Sequence, residues 1–246
     1  MSFITGLPTI SEIDLYTTNS TQPGPFSVGQ LIAGANGKVF RYALVGSGSN
    51  LVMGNALQGS VIDTSYTNMA IGTAAAVGDT FLQVTNGTAT ITSQQFEGGS
   101  ISVYTAGTVA IGDEYTITGV SGTFTTGGAL NVYLDRPVRT AFTTSAKVNM
   151  RRNPWSGVIQ SATTLTASPA GVALTAATLS TYTFVQTHGV GAALSDGSSI
   201  LVGSAIAQPS ATAGAVILSA AGLANVGYAL QAAAAAHAIG VFLQID

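Results

Sequence analysis

The C-terminal stretch from Val226 to Asp246, VGYALQAAAAAHAIGVFLQID, restricts the fold more than any other part of the chain. Its five consecutive alanines favour a helix, because alanine is the best helix former. The flanking residues alternate instead, since Tyr228 and Leu230 share one face of an extended chain, as do Val241 and Leu243. The alanine run is too short to nucleate a helix alone, because isolated helices are marginal below roughly 12–15 residues. The pattern predicts two strands joined by a short Ala/His connection.

The rest of the chain also has the character of strands and tight turns. Asn36-Gly37 and Asn86-Gly87 each lie between alternating runs, and Asn-Gly tolerates positive φ at both turn positions, so both dipeptides predict hairpins. Short β-branched and aromatic stretches bounded by Gly, Asn, Asp or Pro recur, and 30 glycines suit many turns. The sequence therefore predicts an all-β protein.

Composition shifts divide the chain into an N-terminal arm, a body and an insert. Residues 1–27 lack periodicity and contain three prolines, which predicts an extended arm. Residues 71–152 contain a weak internal echo, in which a Gly-Asp turn precedes a strand at Gly78-Asp79 and again at Gly112-Asp113. We expect a β-sandwich or barrel body, formed by residues 28–70 plus 153–246, with residues 71–152 inserted as a small barrel-like domain.

Charged residues are scarce and unevenly placed. They make up 7% of the chain, against roughly 25% in an ordinary soluble domain, and the net charge is −3. After Arg152 there is no lysine or arginine, and the remaining acidic residues are Asp196 and Asp246. The C-terminal surface is therefore uncharged, or a partner covers it. We expect no nucleic-acid partner, because a net charge of −3 creates no strong electrostatic field that would attract one. We expect no membrane span, because polar residues interrupt the longest charge-free run.

A basic segment precedes the uncharged region. It runs DRPVRTAFTTSAKVNMRR and contains Arg136, Arg139, Arg151 and Arg152. Solvated charges at a domain edge and docking onto an acidic protein surface are both compatible with it, and a nucleic-acid patch lacks aromatic stacking partners. The single tryptophan, Trp155, follows directly and is either a core plug or an interface anchor. These five residues are the candidate interface residues.

No constellation for catalysis or metal binding is visible. Only His188 and His237 exist, with neither a G-x-S-x-G turn nor partners for a triad around them. GVGAAL falls short of a dinucleotide-binding fingerprint. The adjacent Asp113 and Glu114 would face opposite sides of a strand, and no cysteine is present. We expect no enzyme activity, no catalytic residue, no cofactor and no metal.

Several stretches resemble virion proteins of tailed bacteriophages, namely GKVFRYALVGSGSNLVMGNALQ, LDRPVRTAFTTSAKV, YTFVQTHGVGAAL and the C-terminal VGYALQAAAAAHAIGVFLQID. They are similar to β-rich head decoration (cement) proteins encoded near the major capsid gene. The resemblance implies a non-enzymatic protein that is made in the bacterial cytoplasm, forms a homotrimer and stabilises the shell by binding the major capsid protein on the outer surface of the virion.

Two other functions remain open from the sequence. A tail-fibre or receptor-binding protein would recognise host glycan, and we would expect aromatic residues clustered on its loops. A hydrolase with an unrecognised site would need one of the two histidines as a base.

Overall fold

The structure is a computed structural model that describes residues 10–11, 13–22, 25–87, 89–92, 94–105, 111–125, 127–141 and 143–246. It is all-β, as predicted, and the helical residues described lie in short 3₁₀ turns at Asp14–Tyr16, Ala35–Gly37 and Thr64–Tyr66. The strands described are β1 Leu31–Ala33, β2 Val39–Val45, β3 Ala56–Gln58, β4 Met69–Ala70, β5 Phe81–Thr85, β6 Ser100–Thr105, β7 Glu114–Val120, β8 Ala129–Leu134, β9 Lys147–Arg151, β10 Ser156–Gln160, β11 Pro169–Ala173, β12 Tyr182–Leu194, β13 Ala205–Gln208, β14 Ile217–Leu218, β15 Ala224–Ala229 and β16 Ala238–Gln244.

The chain divides into two compact units. Unit 1 comprises Met1–Val61 and Pro154–Asp246, and unit 2 comprises Ile62–Asn153. The insert therefore begins earlier than the predicted residue 71. The reason is that β4 (Met69–Ala70) pairs with β9 of unit 2, with Met69 opposite Val148 and Ala70 opposite Lys147.

Unit 1 is built on one ten-stranded sheet in the order β1-β2-β10-β3-β11-β12-β16-β15-β13-β14. An additional pairing of β2 with β12 closes β2, β10, β3, β11 and β12 into a ring. Strand β12 makes both arrangements possible because it is 13 residues long. Its first half pairs with β2 and its second half pairs with β16, so the sheet continues beyond the ring through β16, β15, β13 and β14.

Unit 2 is a six-stranded antiparallel sheet in the order β4-β9-β6-β7-β8-β5. A bridge between Ile71 and Val84 joins the end of β4 to β5, so the sheet closes on itself as a barrel. The barrel encloses a continuous cluster of buried side chains, among which Phe96, Ile101 and Ile117 are fully buried. Each such side chain contributes roughly 1.5–3 kcal/mol when it leaves water.

The C-terminal prediction is confirmed. Strands β15 and β16 are antiparallel neighbours, with Tyr228 opposite Phe242, and the alanine run lies in the connection between them. Asn36-Gly37 also lies in the turn between the antiparallel strands β1 and β2, and both residues have positive φ, 57° and 74°. Both copies of the Gly-Asp echo precede a strand, β5 and β7.

The hairpin predicted at Asn86-Gly87 is wrong. Strand β5 ends at Thr85, but its ladder partner is β8, which lies much later in the chain. Ile91, on the far side of the expected turn, instead bridges to Phe124. The Asn86 side chain explains the difference, because it is buried and donates to the carbonyl groups of Ala89 and Thr125 at 2.8 and 2.9 Å. It organises a loop rather than a two-residue turn.

The predicted extended arm, residues 1–27, lies partly outside the described residues, since 1–9, 12 and 23–24 are not described. The described part packs on unit 1. Leu15 is buried in a cluster with Phe40 and Phe184, and Asn19 exchanges both backbone hydrogen bonds with Tyr182, at 2.9 and 2.7 Å. The described part of the arm is therefore anchored to unit 1, because Leu15 is buried within that unit.

Candidate interaction surface

An uncharged row of side chains crosses four strands of unit 1. The register places Ala205 opposite Tyr228, Tyr228 opposite Phe242, and Phe242 opposite Val190. Directly opposed residues point to the same side of a sheet. The rings of Tyr228 and Phe242 stack at 5.1 Å between centroids, and Val190 is 50% exposed. The row is a half-exposed apolar strip on the outer side of the sheet.

The opposite side of the same strands is core. Val241 and Leu243 flank Phe242 in sequence, and both are fully buried with Ile206 and Val226. The two-residue alternation of β16 therefore assigns one set of side chains to the core and leaves the intervening set, which includes Phe242, on the outer face.

A second row widens the strip. Ala192 lies opposite Gly240, and the backbone N–H of Leu230 donates to the Gly240 carbonyl at 2.9 Å. Leu230 is 43% exposed. We call the combined surface the neutral face, and its members are Val190, Ala192, Ala205, Tyr228, Leu230, Gly240 and Phe242. The four strands that form it contain no Asp, Glu, Lys or Arg.

One charge pair close to this surface is neutralised within unit 1, whereas Lys38, which packs beside Gly189, has no ion pair to a described residue. The Arg41 guanidinium donates through Nε and Nη2 to the two carboxylate oxygens of Asp246, at 2.8 and 3.2 Å, and through Nη1 to the Gly29 carbonyl at 2.8 Å. Both side chains are about four-fifths shielded, with 20% and 19% exposed. A bidentate arginine–carboxylate pair of this kind leaves little net field at the surface.

Trp155, a predicted interface residue, lies in unit 1 and is engaged there. The Arg41 guanidinium carbon lies 4.4 Å from its ring centroid, and its Nε1 donates to the Ala170 carbonyl at 2.9 Å. It packs against a buried cluster that includes Val45 and Val158. These are the contacts of a side chain that acts as a core plug. A contact of Trp155 with a partner stays a prediction.

The other four candidate interface residues lie in unit 2. Arg139 forms an ion pair with Asp113, and Arg136 donates to the Glu114 carbonyl while lying 5.4 Å from the Tyr115 ring centroid. Burial acts to raise the pKa of Asp113, but the hydrogen bond and the charge of Arg139 outweigh it, so that the pKa lies below its ordinary value. One positive charge of the basic segment, that of Arg139, is thus balanced by the carboxylate of Asp113.

Arg151 and Arg152 lie at and just beyond the end of β9. The Arg152 guanidinium carbon lies 6.0 Å from the Tyr66 ring centroid and 5.9 Å from that of Phe96. Arg151 lies opposite Ser100, and its side chain is exposed without an ion pair to any described residue. Of the four arginines, only Arg139 has an ion pair among the described contacts, and Arg151 is the one that also lacks a side-chain hydrogen bond and a ring contact there.

The two histidines do not form a catalytic arrangement with described residues. His188 is half-buried, its ring meets Phe242 edge-on at 5.3 Å between centroids, and its Nδ1 lies 3.2 Å from the Asp246 backbone oxygen. His237 is exposed, and its carbonyl accepts from the Ser195 N–H at 2.9 Å. No group of three or more metal-ligating side chains occurs among the residues described. The absence of enzyme activity stays a prediction.

A cavity of about 370 Å³ lies beside the N-terminal segment of unit 1. Its lining is Ile10, Ser11, Asp14, Thr17, Asn19, Phe26 and Phe184. Beneath it, Tyr42 is fully buried and its ring contacts those of Phe26 and Phe184, at 5.6 and 4.9 Å between centroids. Burial, with a smaller effect of Tyr182, raises the pKa of Tyr42 to about 12. The cavity thus combines polar groups with an aromatic floor.

Sequence reasoning missed the neutral face as a unit. The alternation in AIGVFLQI puts Phe242 and Gly240 on the face opposite Val241 and Leu243, and the lack of charge after Arg152 is visible in the sequence. The missing information was the strand order, because Val190 and Ala205 come next to Tyr228 and Phe242 only through long-range pairing.

In the described part of the chain, no helix has the length and apolar character that a bilayer span requires. No protein-family model matches the chain, and neither a curated protein nor a solved structure matches it. The resemblance to decoration proteins therefore stays a prediction.

Proposed function

We propose that this protein is a non-enzymatic structural component of a bacteriophage virion, a decoration protein that binds the outer capsid surface through the major capsid protein and associates as a homotrimer. The neutral face is the observation that carries the proposal. It is a broad, half-exposed sheet surface with apolar and aromatic side chains and without ionised groups. Centres of stable protein interfaces have this composition.

Charge distribution also supports association with other protein molecules. A symmetric assembly brings identical surfaces or neighbouring copies close together, and like charges there would repel. Unit 1 avoids this cost, because its described charges are few and the pair formed by Arg41 and Asp246 is internally neutralised. Shell stabilisation then follows from mass action, since each contact exists only in the assembled state.

Electron cryomicroscopy of the phage particles that encode this chain tests the proposal. We expect density for unit 1 on the outer surface of the head, with the side chains of Val190, Tyr228 and Phe242 buried against a neighbouring subunit. Density in the tail alone would contradict the decoration role, and a neutral face open to solvent in every copy would contradict the contact.

The cavity beside Phe26 favours a second candidate function, recognition of host glycan by a receptor-binding virion protein. Sugar sites combine polar hydrogen-bonding groups with aromatic surface, and the cavity offers Asp14 and Asn19 beside Phe26. Titration calorimetry with glucose, galactose and N-acetylglucosamine would detect such binding. Heat that saturates for the native protein and disappears in Asp14→Ala would favour this function over decoration, whereas no heat from any of the three sugars would count against it.

A further inference from the structure

The two Asn-Gly dipeptides of the chain lie in opposite surroundings. Asn36 is exposed in the turn between β1 and β2, with φ 57° and ψ 32°. Its side chain makes no hydrogen bond to any described residue. The space around Gly37 is also open, because a Cβ placed there would meet nothing within 4 Å. The side chain of Asn36 and the following backbone are therefore free to rotate toward each other.

The side chain of Asn86 is buried and is held through its nitrogen, while its oxygen has no hydrogen-bond partner. It is 2% exposed, and its Nδ2 donates to the carbonyl oxygens of Ala89 at 2.8 Å and Thr125 at 2.9 Å. A Cβ on Gly87 would stand only 2.9 Å from the Ser65 carbonyl oxygen. Rotation of the Asn86 side chain toward the Gly87 nitrogen would therefore require local opening of the loop.

We propose that Asn36 is a site of spontaneous deamidation in the native protein and that the fold protects Asn86. In this reaction the backbone nitrogen of Gly37 attacks Cγ of Asn36 and forms a new C–N bond. The bond from Cγ to the side-chain nitrogen breaks, and ammonia leaves with the backbone proton. Water then opens the cyclic imide at either carbonyl and gives aspartate or isoaspartate, so that one asparagine and one water become one acidic residue and one ammonia.

The modification places a carboxylate beside the neutral face. A Cβ on Gly189 would stand 3.2 Å from the Gly37 carbonyl oxygen and 3.1 Å from the Lys38 Cα, so this turn packs against β12 next to Val190. Deamidation of Asn36 thus adds a negative charge to unit 1. The four strands that form the neutral face contain no charged residue. The deamidation itself does not depend on the proposed virion function.

Peptide mapping by mass spectrometry tests the proposal on the full-length protein. The native protein is incubated in mildly alkaline buffer, and the mass change from amide to acid is followed in the peptides containing Asn36 and Asn86. We expect Asn36 to react at least about tenfold faster, which corresponds to an opening cost at Asn86 of about 1.4 kcal/mol or more. Equal rates, or faster reaction at Asn86, would overturn the proposal.

Two controls keep the interpretation specific. In denaturant, both Asn-Gly dipeptides are exposed, and we expect their rates to become similar; a difference that persists there would show that the fold does not cause it and would also overturn the proposal. The variant Asn36→Gln should remove the early mass change in the native protein. The side chain that is replaced is exposed and makes no hydrogen bond to a described residue, so the substitution removes no such contact from the fold.

Discussion

The six-stranded barrel of unit 2 carries eleven of the chain's charged residues, whereas the larger unit 1 carries six. Those of unit 2 are Asp63, Asp79, Glu97, Asp113, Glu114, Asp135, Arg136, Arg139, Lys147, Arg151 and Arg152; those of unit 1 are Glu12, Asp14, Lys38, Arg41, Asp196 and Asp246. Both units use mainly antiparallel strands around apolar cores, so the fold class does not explain the difference in their number of charged residues. Unit 2 is closer in charge content to an ordinary soluble domain than unit 1 is, although both lie below the roughly 25% of such a domain.

The cores differ as well. Unit 2 has one continuous cluster of buried side chains inside a closed barrel. Unit 1 has separate clusters, one under β12, β15 and β16, one inside the strand ring and one around Phe40 and Tyr42. The outer surface of a closed barrel faces solvent. A sheet that continues beyond a ring has one face on its core and a second, outer face. The comparison teaches that the neutral face arises from the extension of β12 beyond the ring.

Loss of a large side chain from the core of unit 2 should have the greatest effect. Phe96 is fully buried and meets Tyr66 edge-on at 4.8 Å between centroids. Phe96→Ala should lower the free energy of unfolding by about 3–5 kcal/mol, because a cavity adds to the lost transfer free energy. Denaturant titration followed by circular dichroism measures the loss. Trp155 fluorescence reports unit 1 and should change little; an equal shift in both signals would show that the two cores are coupled.

A backbone contact in unit 1 gives the next largest effect. Gly227 has φ 150°, and a Cβ there would stand 2.0 Å from the Phe242 carbonyl oxygen. Gly227→Ala should destabilise unit 1 by about 2–4 kcal/mol, through backbone strain and displacement of β16. Gly240→Ala is the matched control on the partner strand, because its nearest atoms are 3.9 Å away. Similar losses in both variants, measured by thermal unfolding, would contradict this packing.

Acid should destabilise unit 2 through protonation of Asp113. Its folded-state pKa lies below the ordinary 3.8, mainly because Arg139 outweighs the effect of burial. The ionised form therefore stabilises the fold above pH 3.8, and this contribution disappears as the pH falls through the folded-state value. Asp113→Asn should be less stable than the native protein near neutral pH, and the two should converge in acid. Urea titrations from about pH 7 to about pH 2 would show this, and a constant difference would contradict it.

Alkaline pH should destabilise unit 1 through ionisation of Tyr42. We expect this loss of stability to be smaller than that from protonation of Asp113. The pKa of Tyr42 rises from 10.0 to about 12, chiefly because the ring is buried. The protonated form is thus favoured in the fold, and the stabilisation present below pH 10 is lost as the pH rises toward 12. Tyr42→Phe should flatten this alkaline decline in thermal stability. The exposed Tyr133→Phe serves as control, and an unchanged decline in Tyr42→Phe would assign the effect to other groups.

The sequence predicted most of the strands but not their partners. Alternation in the C-terminal stretch correctly placed Val241 and Leu243 on one face of a strand, because side-chain period follows directly from local backbone geometry, and the structure shows that this face is core. Asn86-Gly87 showed the limit of local rules, since the same dipeptide that turns a hairpin at Asn36-Gly37 is used there as a buried loop anchor. Closure of β2 onto β12 and the pairing of β12 with β16 depend on long-range contacts that periodicity does not encode.

The candidate interface was only partly visible for the same reason. Arg136 and Arg139 suggested a docking segment because they are close in sequence, but the fold engages them with Glu114 and Asp113. The residues that form the neutral face are each unremarkable in sequence. They become a surface only when the register aligns them, so a strand order was needed before the surface could be recognised.

The oligomeric mass of two valine variants tests the central claim, that the neutral face is a contact surface. Val190 lies in the face and is 50% exposed, and Val52 lies outside it and is 54% exposed. Mass photometry of the purified protein should give an assembled species for the native chain and for Val52→Arg, but a monomer for Val190→Arg, because an arginine would be buried there without a partner. Assembly of Val190→Arg like that of Val52→Arg, or a native chain that is already monomeric, would contradict the claim.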